Sequence, residues 1–353
     1  MQLYPLYLTK QFRHYYFGKQ LIKHKITNDV PDGFLAETWE CSDYGTVSAL
    51  ITNGIHQNKS LRELVLNYPE EILGKGLKAP HFPLLAKFLD ASEFLPVHLH
   101  ANDKTAHLKY AQPNGKTEAW HILWAKEGAT ILAGMKKGVS EDQARHAFRK
   151  CDYTSVVHEY PIKTGDTVYI PGGVIHSFGP DALVYEIQQT SDLGQNVMPH
   201  DLFGNPYSET IWHSNIENVL EELEWEPQPK PISGLKIVSA NTSRTLLAAG
   251  PYFCLERFTL SGEMNYKFER ARIITNLGAP LTIIADQAHY ILHAGQTCLL
   301  PAGMKTIDFH CDVQEHRSGD FLVSYVPELE NDVIKPLQHA GFSRAEISGL
   351  GEL

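Results

Sequence analysis

His98 and His100, one residue apart, are followed by Glu118 and, much later, by His176. In a β-strand, residues i and i+2 face the same side, so both imidazoles of His98-x-His100 can enter one cavity. A carboxylate from the next strand and a histidine from a later one would complete a four-ligand site. Imidazoles with one carboxylate suit a single borderline divalent ion, Zn²⁺ first, with Fe²⁺, Mn²⁺ or Ni²⁺ as alternatives. With an open coordination position, such an ion polarises a substrate oxygen as a Lewis acid.

Histidine is abundant, 18 in 353 residues, and about one His-x-His is expected from that composition alone. The pair by itself is equally readable as two satisfied structural histidines. The frame around the later histidine adds more. Gly165-x₅-Pro171-x-Gly173-x₂-His176 reads as a turn glycine, a short buried strand, and a Pro-x-Gly reversal that delivers a histidine. The frame returns as Gly295-x₅-Pro301-x-Gly303-x₂-Thr306, with threonine in the histidine's place. Two related β-barrels follow, the first carrying a ligand at this point and the second not.

The elements that must position these residues are short strands. Runs such as Trp120 to Trp124, Thr167 to Ile170, Leu183 to Ile187, Ile273 to Leu277, Leu281 to Ala285 and Cys298 to Leu300 are separated by Gly, Pro, Asn and Asp. That spacing predicts an antiparallel sandwich or barrel rather than βαβ units. Capping boxes predict helix starts at Ser60, Ser140 and Ser214, each with Glu or Gln three residues on. Glu226-Pro227-Gln228-Pro229-Lys230-Pro231 continues neither helix nor central strand and reads as a stiff connector. The expected organisation is a metal-binding unit over 1–225 with helical insertions, a connector over 226–234, and a second unit over 235–353.

Composition narrows the partners. A hydrophobic share of 43% with 20% charged residues is globular, and the length can bury a substantial core. A net charge of −10 offers no footprint for nucleic acid or an anionic membrane surface. Five scattered cysteines, Cys41, Cys151, Cys254, Cys298 and Cys311, form no C-x-x-C pair, which argues against a disulfide framework. The first seventeen residues interleave charge with aromatics, unlike a secretory signal, and no run suffices for a membrane span. The expectation is a cytoplasmic protein whose partner is a small molecule.

His98-x-His100, Glu118 and the Gly-x₅-Pro-x-Gly-x₂-His frame resemble the two signature motifs of the cupin barrel. More narrowly, the chain resembles class I mannose-6-phosphate isomerases, through Leu35 to Glu40, Phe82 to Ala91, Leu95 to Asp103, Gly115 to Trp120, and Tyr169 to Asp192. The resemblance implies a mostly β bicupin, two jelly-roll barrels with inserted α-helical segments, the C-terminal barrel degenerate and without a metal site. It implies metal ligation by His98, His100, Glu118 and His176, although the family usually has glutamine where this chain has His98.

Lys87 and Lys116 fall on family active-site lysines, and Glu186 on an acidic residue of proton transfer. The same lysines and Asn196 are implied to hold substrate. Asn196 stands where the family has arginine; it can hydrogen-bond but brings no positive charge. The implied activity is aldose–ketose isomerisation of mannose 6-phosphate to fructose 6-phosphate through a cis-enediol, by a monomer or homodimer. Asn196 motivates two alternatives: an isomerase or epimerase of a different sugar, phosphorylated or not, and a non-catalytic sugar-binding cupin.

The residues can be weighed on their own chemistry as well. Glu186 between Tyr185 and Ile187 can be a base with a raised pKa, or a strand glutamate paired to a nearby cation. Lys87, inside Leu84-Leu85-Ala86-Lys87-Phe88-Leu89, faces a polar cavity or a carboxylate, or else snorkels to solvent. Lys116, after Gly115, also reads as an ordinary turn lysine. Trp39 and Trp120 read as core before they read as sugar platforms.

Overall fold

The computed structural model describes residues 2–312 and 319–353. In chain order, the strands of the first unit are β1 (Gln11–Arg13), β2 (Glu37–Cys41), β3 (Leu84–Ala91), β4 (His98–His100), β5 (Glu118–Ala125), β6 (Thr130–Met135), β7 (Val157–Pro161), β8 (Thr167–Ile170), β9 (His176–Phe178), β10 (Ala182–Gln189) and β11 (Gly194–Asn196). They form a six-stranded sheet, β8-β5-β10-β3-β2-β1, and a five-stranded sheet, β7-β6-β9-β4-β11. Every pairing in them is antiparallel.

The second unit repeats the plan. Its seven-stranded sheet includes Thr297–Leu300, Arg272–Asn276, Gly319–Tyr325 and Cys254–Leu260, and its four-stranded sheet includes Thr306–Cys311 and Leu281–Ala285. The six runs expected as strands are all strands, their ends shifted by at most two residues. Leu6–Tyr7 pairs with Thr297–Leu300, so the start of the chain belongs to the second unit's sheet. The proline-rich segment is tied down at its end, where Ile232 and Thr167 exchange backbone hydrogen bonds of 2.7 and 2.9 Å.

The large sheets pack against each other, and this explains why their strands read as nearly continuous apolar runs. All eight residues of β10 are buried. Leu183, Tyr185 and Ile187 face the second unit, in one cluster with Leu255, Ile273 and Leu322. Val184 and Glu186 point the other way, into the first unit. A polar residue on such a strand is withheld from water on both faces, which is what an active-site group with altered proton affinity requires.

Helices cover the outer face of the five-stranded sheet. Of α1 (Leu61–Asn67), α2 (Asp103–Tyr110), α3 (Glu141–Arg149) and α4 (Glu209–Glu222), α3 and α4 form this layer, while α1 packs in the cluster between the units. Ala144, Phe148, Ile216 and Val219 of α3 and α4 pack on Val97, Leu99 and Leu132. Ser140 makes the full capping box with Gln143, whereas Ser60 supplies only the forward half, to the Glu63 amide. The start expected at Ser214 is corrected: α4 begins at Glu209, capped by Ser208. Ser208 has no Glu or Gln at the third helical position, so the box pattern passed over it and fell on a serine inside the helix.

At the junction of the units, His121 is buried between Thr167 and Arg257. Its Nδ1 donates to Thr167 Oγ1 at 2.9 Å, and Arg257 Nη1 donates to its Nε2 at 3.2 Å. Burial first, and then the Arg257 charge, push its pKa down to about 3. The unfolded chain takes up a proton near pH 6.5 that the native state refuses, so stability falls as pH drops from about 6.5 toward 3. The loss approaches ~1.4 kcal/mol per pH unit. Chemical denaturation of the His121→Gln protein between pH 7.5 and 4.5 is expected to show a loss smaller than wild type by about 3 kcal/mol. Parallel curves for the two proteins would contradict this.

Candidate active site

Three strands and one turn bring the four expected ligands to one point. His98 and His100 lie on β4, Glu118 opens β5, and His176 opens β9 directly opposite His98 in the ladder. His98 Nε2 lies 3.1 Å from both His100 Nε2 and His176 Nε2. Glu118 Oε1 is 3.3 Å from His176 Nε2, and Oε2 is 3.5 Å from His100 Nε2. The three Nε2 atoms lie within 4.8 Å of one another and Glu118 adjoins two of them through different oxygens, a cluster that one ion with 2.0–2.1 Å bonds, and so tetrahedral edges of about 3.3–3.4 Å, can draw together.

The imidazoles are also in the right protonation state. Each Nδ1 lies against a backbone carbonyl: His98 against Pro96 at 2.7 Å, His100 against Leu193 at 3.0 Å, His176 against Val174 at 2.8 Å. Donation from Nδ1 leaves the three Nε2 atoms unprotonated and turned toward one another, with Lys116 Nζ already against that of His100, an arrangement that a cation relieves. Burial pushes the pKa of His176 down to about 3 and holds those of His98 and His100 well below the usual imidazole value, so all three are neutral near pH 7. Trp120 Nε1 fixes Glu118 by donating to Oε1 at 2.9 Å. Glu118 Oε2 has ion-pair neighbours but no well-directed hydrogen bond, as a buried ligand atom would.

Glycine geometry sets the turns. Gly173 has φ +90°, open to glycine at little cost, and its amide donates to the His100 carbonyl at 2.6 Å, which ties the His176 turn to β4. At Gly115 a Cβ would lie 2.3 Å from the Ala101 carbonyl oxygen. This close approach turns Lys116 inward. Lys116 is therefore a buried site residue and not a turn lysine at the surface.

Lys116 Nζ lies 2.8 Å from both His100 Nε2 and Glu118 Oε2, and 3.5 Å from Glu186 Oε1. Lys87 faces carboxylates, as its apolar surroundings require: Glu186 at 3.1 Å and Glu37 at 3.4 Å. Burial opposes its charge, but Glu186 and then Glu37 outweigh burial and hold its pKa above the ordinary lysine value. Burial, with the Glu118 charge second, pushes Glu186 up to about 6.

These groups line one cleft together with Tyr15, Glu37, Asp192, Gln195 and Asn196. Asn196 is there, its Oδ1 accepting from the Met198 amide at 3.0 Å. Sequence reasoning missed Glu37, Tyr15 and Asp192. Glu37 was findable, because an inward lysine on β3 needs a second carboxylate and Glu37 alternates with Trp39 on a neighbouring strand. Trp39 and Trp120 are both buried in the core. The cleft holds four carboxylates, Glu37, Glu118, Glu186 and Asp192, against two ammoniums, and one divalent cation cancels the difference.

Fold and site thus define a cupin-type protein whose first unit has the donor set for a mononuclear divalent-metal centre inside a charged cleft. No protein-family model matches the chain. It is 27% identical over 312 residues to the mannose-6-phosphate isomerase of Streptococcus mutans, covering 88% of this chain and 96% of the relative. It is 25% identical over 285 residues to the mannose-6-phosphate isomerase ManA of Bacillus subtilis, covering 78% and 86%. Among solved structures, the mannose 6-phosphate isomerase from Bacillus subtilis superposes with a TM-score of 0.81 at 24% identity, over 92% of this chain and all of the other. A zinc-bound mannose 6-phosphate isomerase superposes at 0.71 and 12% identity, over 91% and 99%. The chain is a mannose-6-phosphate isomerase-like protein of mostly β, cupin-type fold.

Proposed function

We propose that the protein interconverts mannose 6-phosphate and fructose 6-phosphate, with one Zn²⁺ held by His98, His100, Glu118 and His176. The observation that carries this is the convergence of three neutral imidazoles and a carboxylate beside Glu186, Lys87 and Lys116 in one cleft. Full-length relatives bearing that name support it. When bound, zinc acts as a Lewis acid toward sugar oxygens.

The chain's own residues carry the proton. Glu186, with its raised proton affinity, takes the proton from one of C1 and C2 and returns it to the other. Lys87 holds Glu186 in place from one side. Lys116, between Glu186 and the ligand atoms, is placed to donate toward negative charge developing on the enediol oxygens. Lys87, Lys116 and Asn196 also contact the sugar. Among the described residues, no helix is long and apolar enough to cross a membrane.

The test is the zinc-loaded full chain assayed with mannose 6-phosphate, following fructose 6-phosphate. Turnover that needs both the phosphate and the metal supports the reading. Turnover of free sugars alone, or of none, overturns it.

A further inference from the structure

The two lysines of the cleft are already committed. Lys87 lies between Glu186 and Glu37, and Lys116 between Glu118 and Glu186. With four carboxylates present and one divalent ion cancelling the excess, a phosphate dianion has no free cation at the chemical end of the cleft. Asn196 brings none either.

A cation stands at the other end. Arg13 closes β1, the edge strand, directly opposite Glu37 in the ladder. Its guanidinium carbon lies over the Trp39 ring, 3.9 Å from the centroid. It donates to the Phe12 carbonyl at 3.2 Å and to Gln11 Oε1 at 3.1 Å, and among the described residues no carboxylate lies within 4 Å of it. Stacking and two neutral acceptors fix the side chain while leaving its charge unspent, the condition for gripping an anion.

The same segment carries Tyr15 and Phe17, both lining the cleft, and Arg13 is paired across the ladder with Glu37, another lining residue. Tyr15 lines the cleft in company with Glu37, Lys87 and Asp192. The spacing suits the substrate. Glu118 is on β5 and Trp39 on β2, with β10 and β3 between them. Three strand steps of about 4.8 Å give a span of ~14 Å. The phosphate lengthens a six-carbon sugar by two bonds along that span and carries its charge toward Arg13.

We propose that Arg13 anchors the substrate phosphate, with the Tyr15 hydroxyl as a second donor, supplying from the edge strand the charge that position 196 lacks. This rests on the phosphosugar reading and names its specificity determinant. A guanidinium–phosphate contact of this kind is worth roughly 10- to 100-fold in affinity.

The experiment titrates zinc-loaded wild type, Arg13→Gln and Arg13→Lys with inorganic phosphate and with mannose 6-phosphate by calorimetry, alongside isomerase kinetics. Arg13→Gln is expected to weaken both ligands about 10- to 100-fold and to raise KM far more than it lowers kcat. Arg13→Lys, which keeps the charge without the fork, falls between. Zinc content and melting temperature stay at wild-type values. Phosphate affinity within twofold of wild type in Arg13→Gln overturns the proposal, as does a wild type that binds no phosphate. Wild type that binds mannose 6-phosphate through Arg13 without turning it over would defeat the isomerase reading and leave the anchor standing.

Discussion

His176→Ala is expected to release zinc and to lower isomerase turnover by two to three orders of magnitude. Four-ligand zinc sites bind with about 10–16 kcal/mol, so one ligand is worth on the order of 3 kcal/mol, or about 10²- to 10³-fold in metal affinity. His176 is the ligand whose loss tells most, because its ring also packs on Trp120, 5.2 Å between centroids, and Trp120 holds Glu118. Removing it loosens a second ligand through that indole. The variant also leaves a small cavity among buried rings, so some thermal stability goes regardless of metal. His176→Gln, which fills more of the space, separates the two effects: zinc still falls while the melting temperature recovers in part. The measurement is metal content after dialysis against a weak chelator. Equimolar zinc retained by both variants would show that the ion is held elsewhere.

The convergence of His98, His100, Glu118 and His176 was legible because its signal is local and its geometry obeys simple periodicities. His98 and His100 share a strand face, and the turn ending at His176 is spelled out by glycine and proline at fixed spacing. The rest of the cleft arrives from far away in sequence. Arg13, Tyr15 and Glu37 come from an edge strand and its neighbour, which no short-range pattern pairs with residues beyond position 80. The attachment of Leu6–Tyr7 to the strand at 297–300 is equally non-local. Lys116 read as ordinary because its burial depends on a backbone approach at Gly115 that spacing does not report.

The internal repeat extends further in three dimensions than in sequence. Ile170 pairs with Glu118 in the first unit, and its counterpart Leu300 pairs with Arg272 in the second. His176 pairs with His98, and its counterpart Thr306 pairs with Lys267. Where the first unit presents a carboxylate and two imidazoles, the second presents a guanidinium, an ammonium and a hydroxyl. Arg272 is buried, 3.6 Å from the centroid of the Tyr325 ring, and hydrogen-bonded to Tyr266. A covalently attached cation thus occupies the ladder position that Glu118 holds in the first unit.

Glu186→Gln is expected to cut kcat by roughly 10²- to 10⁴-fold, the range for losing a positioned general base. Zinc content should be unchanged and KM should move little. The amide keeps the shape of the carboxylate but cannot accept the proton shuttled between C1 and C2. The change also withdraws the charge that Lys87 and Lys116 share, leaving Lys87 to Glu37 and Lys116 to Glu118. Breaking buried pairs of this kind costs up to about 3–5 kcal/mol, so some stability is lost as well. Turnover alone would not separate a missing base from a disturbed pocket. Proton exchange does: in deuterated water, wild type should exchange the C2 hydrogen of bound mannose 6-phosphate, and the variant should bind the sugar without exchanging it. Lys87→Met, which strips Glu186 of its nearest partner but leaves the carboxylate, is the comparison, and it should retain measurable exchange. If Glu186→Gln keeps a tenth or more of wild-type turnover, the proton is carried by another group.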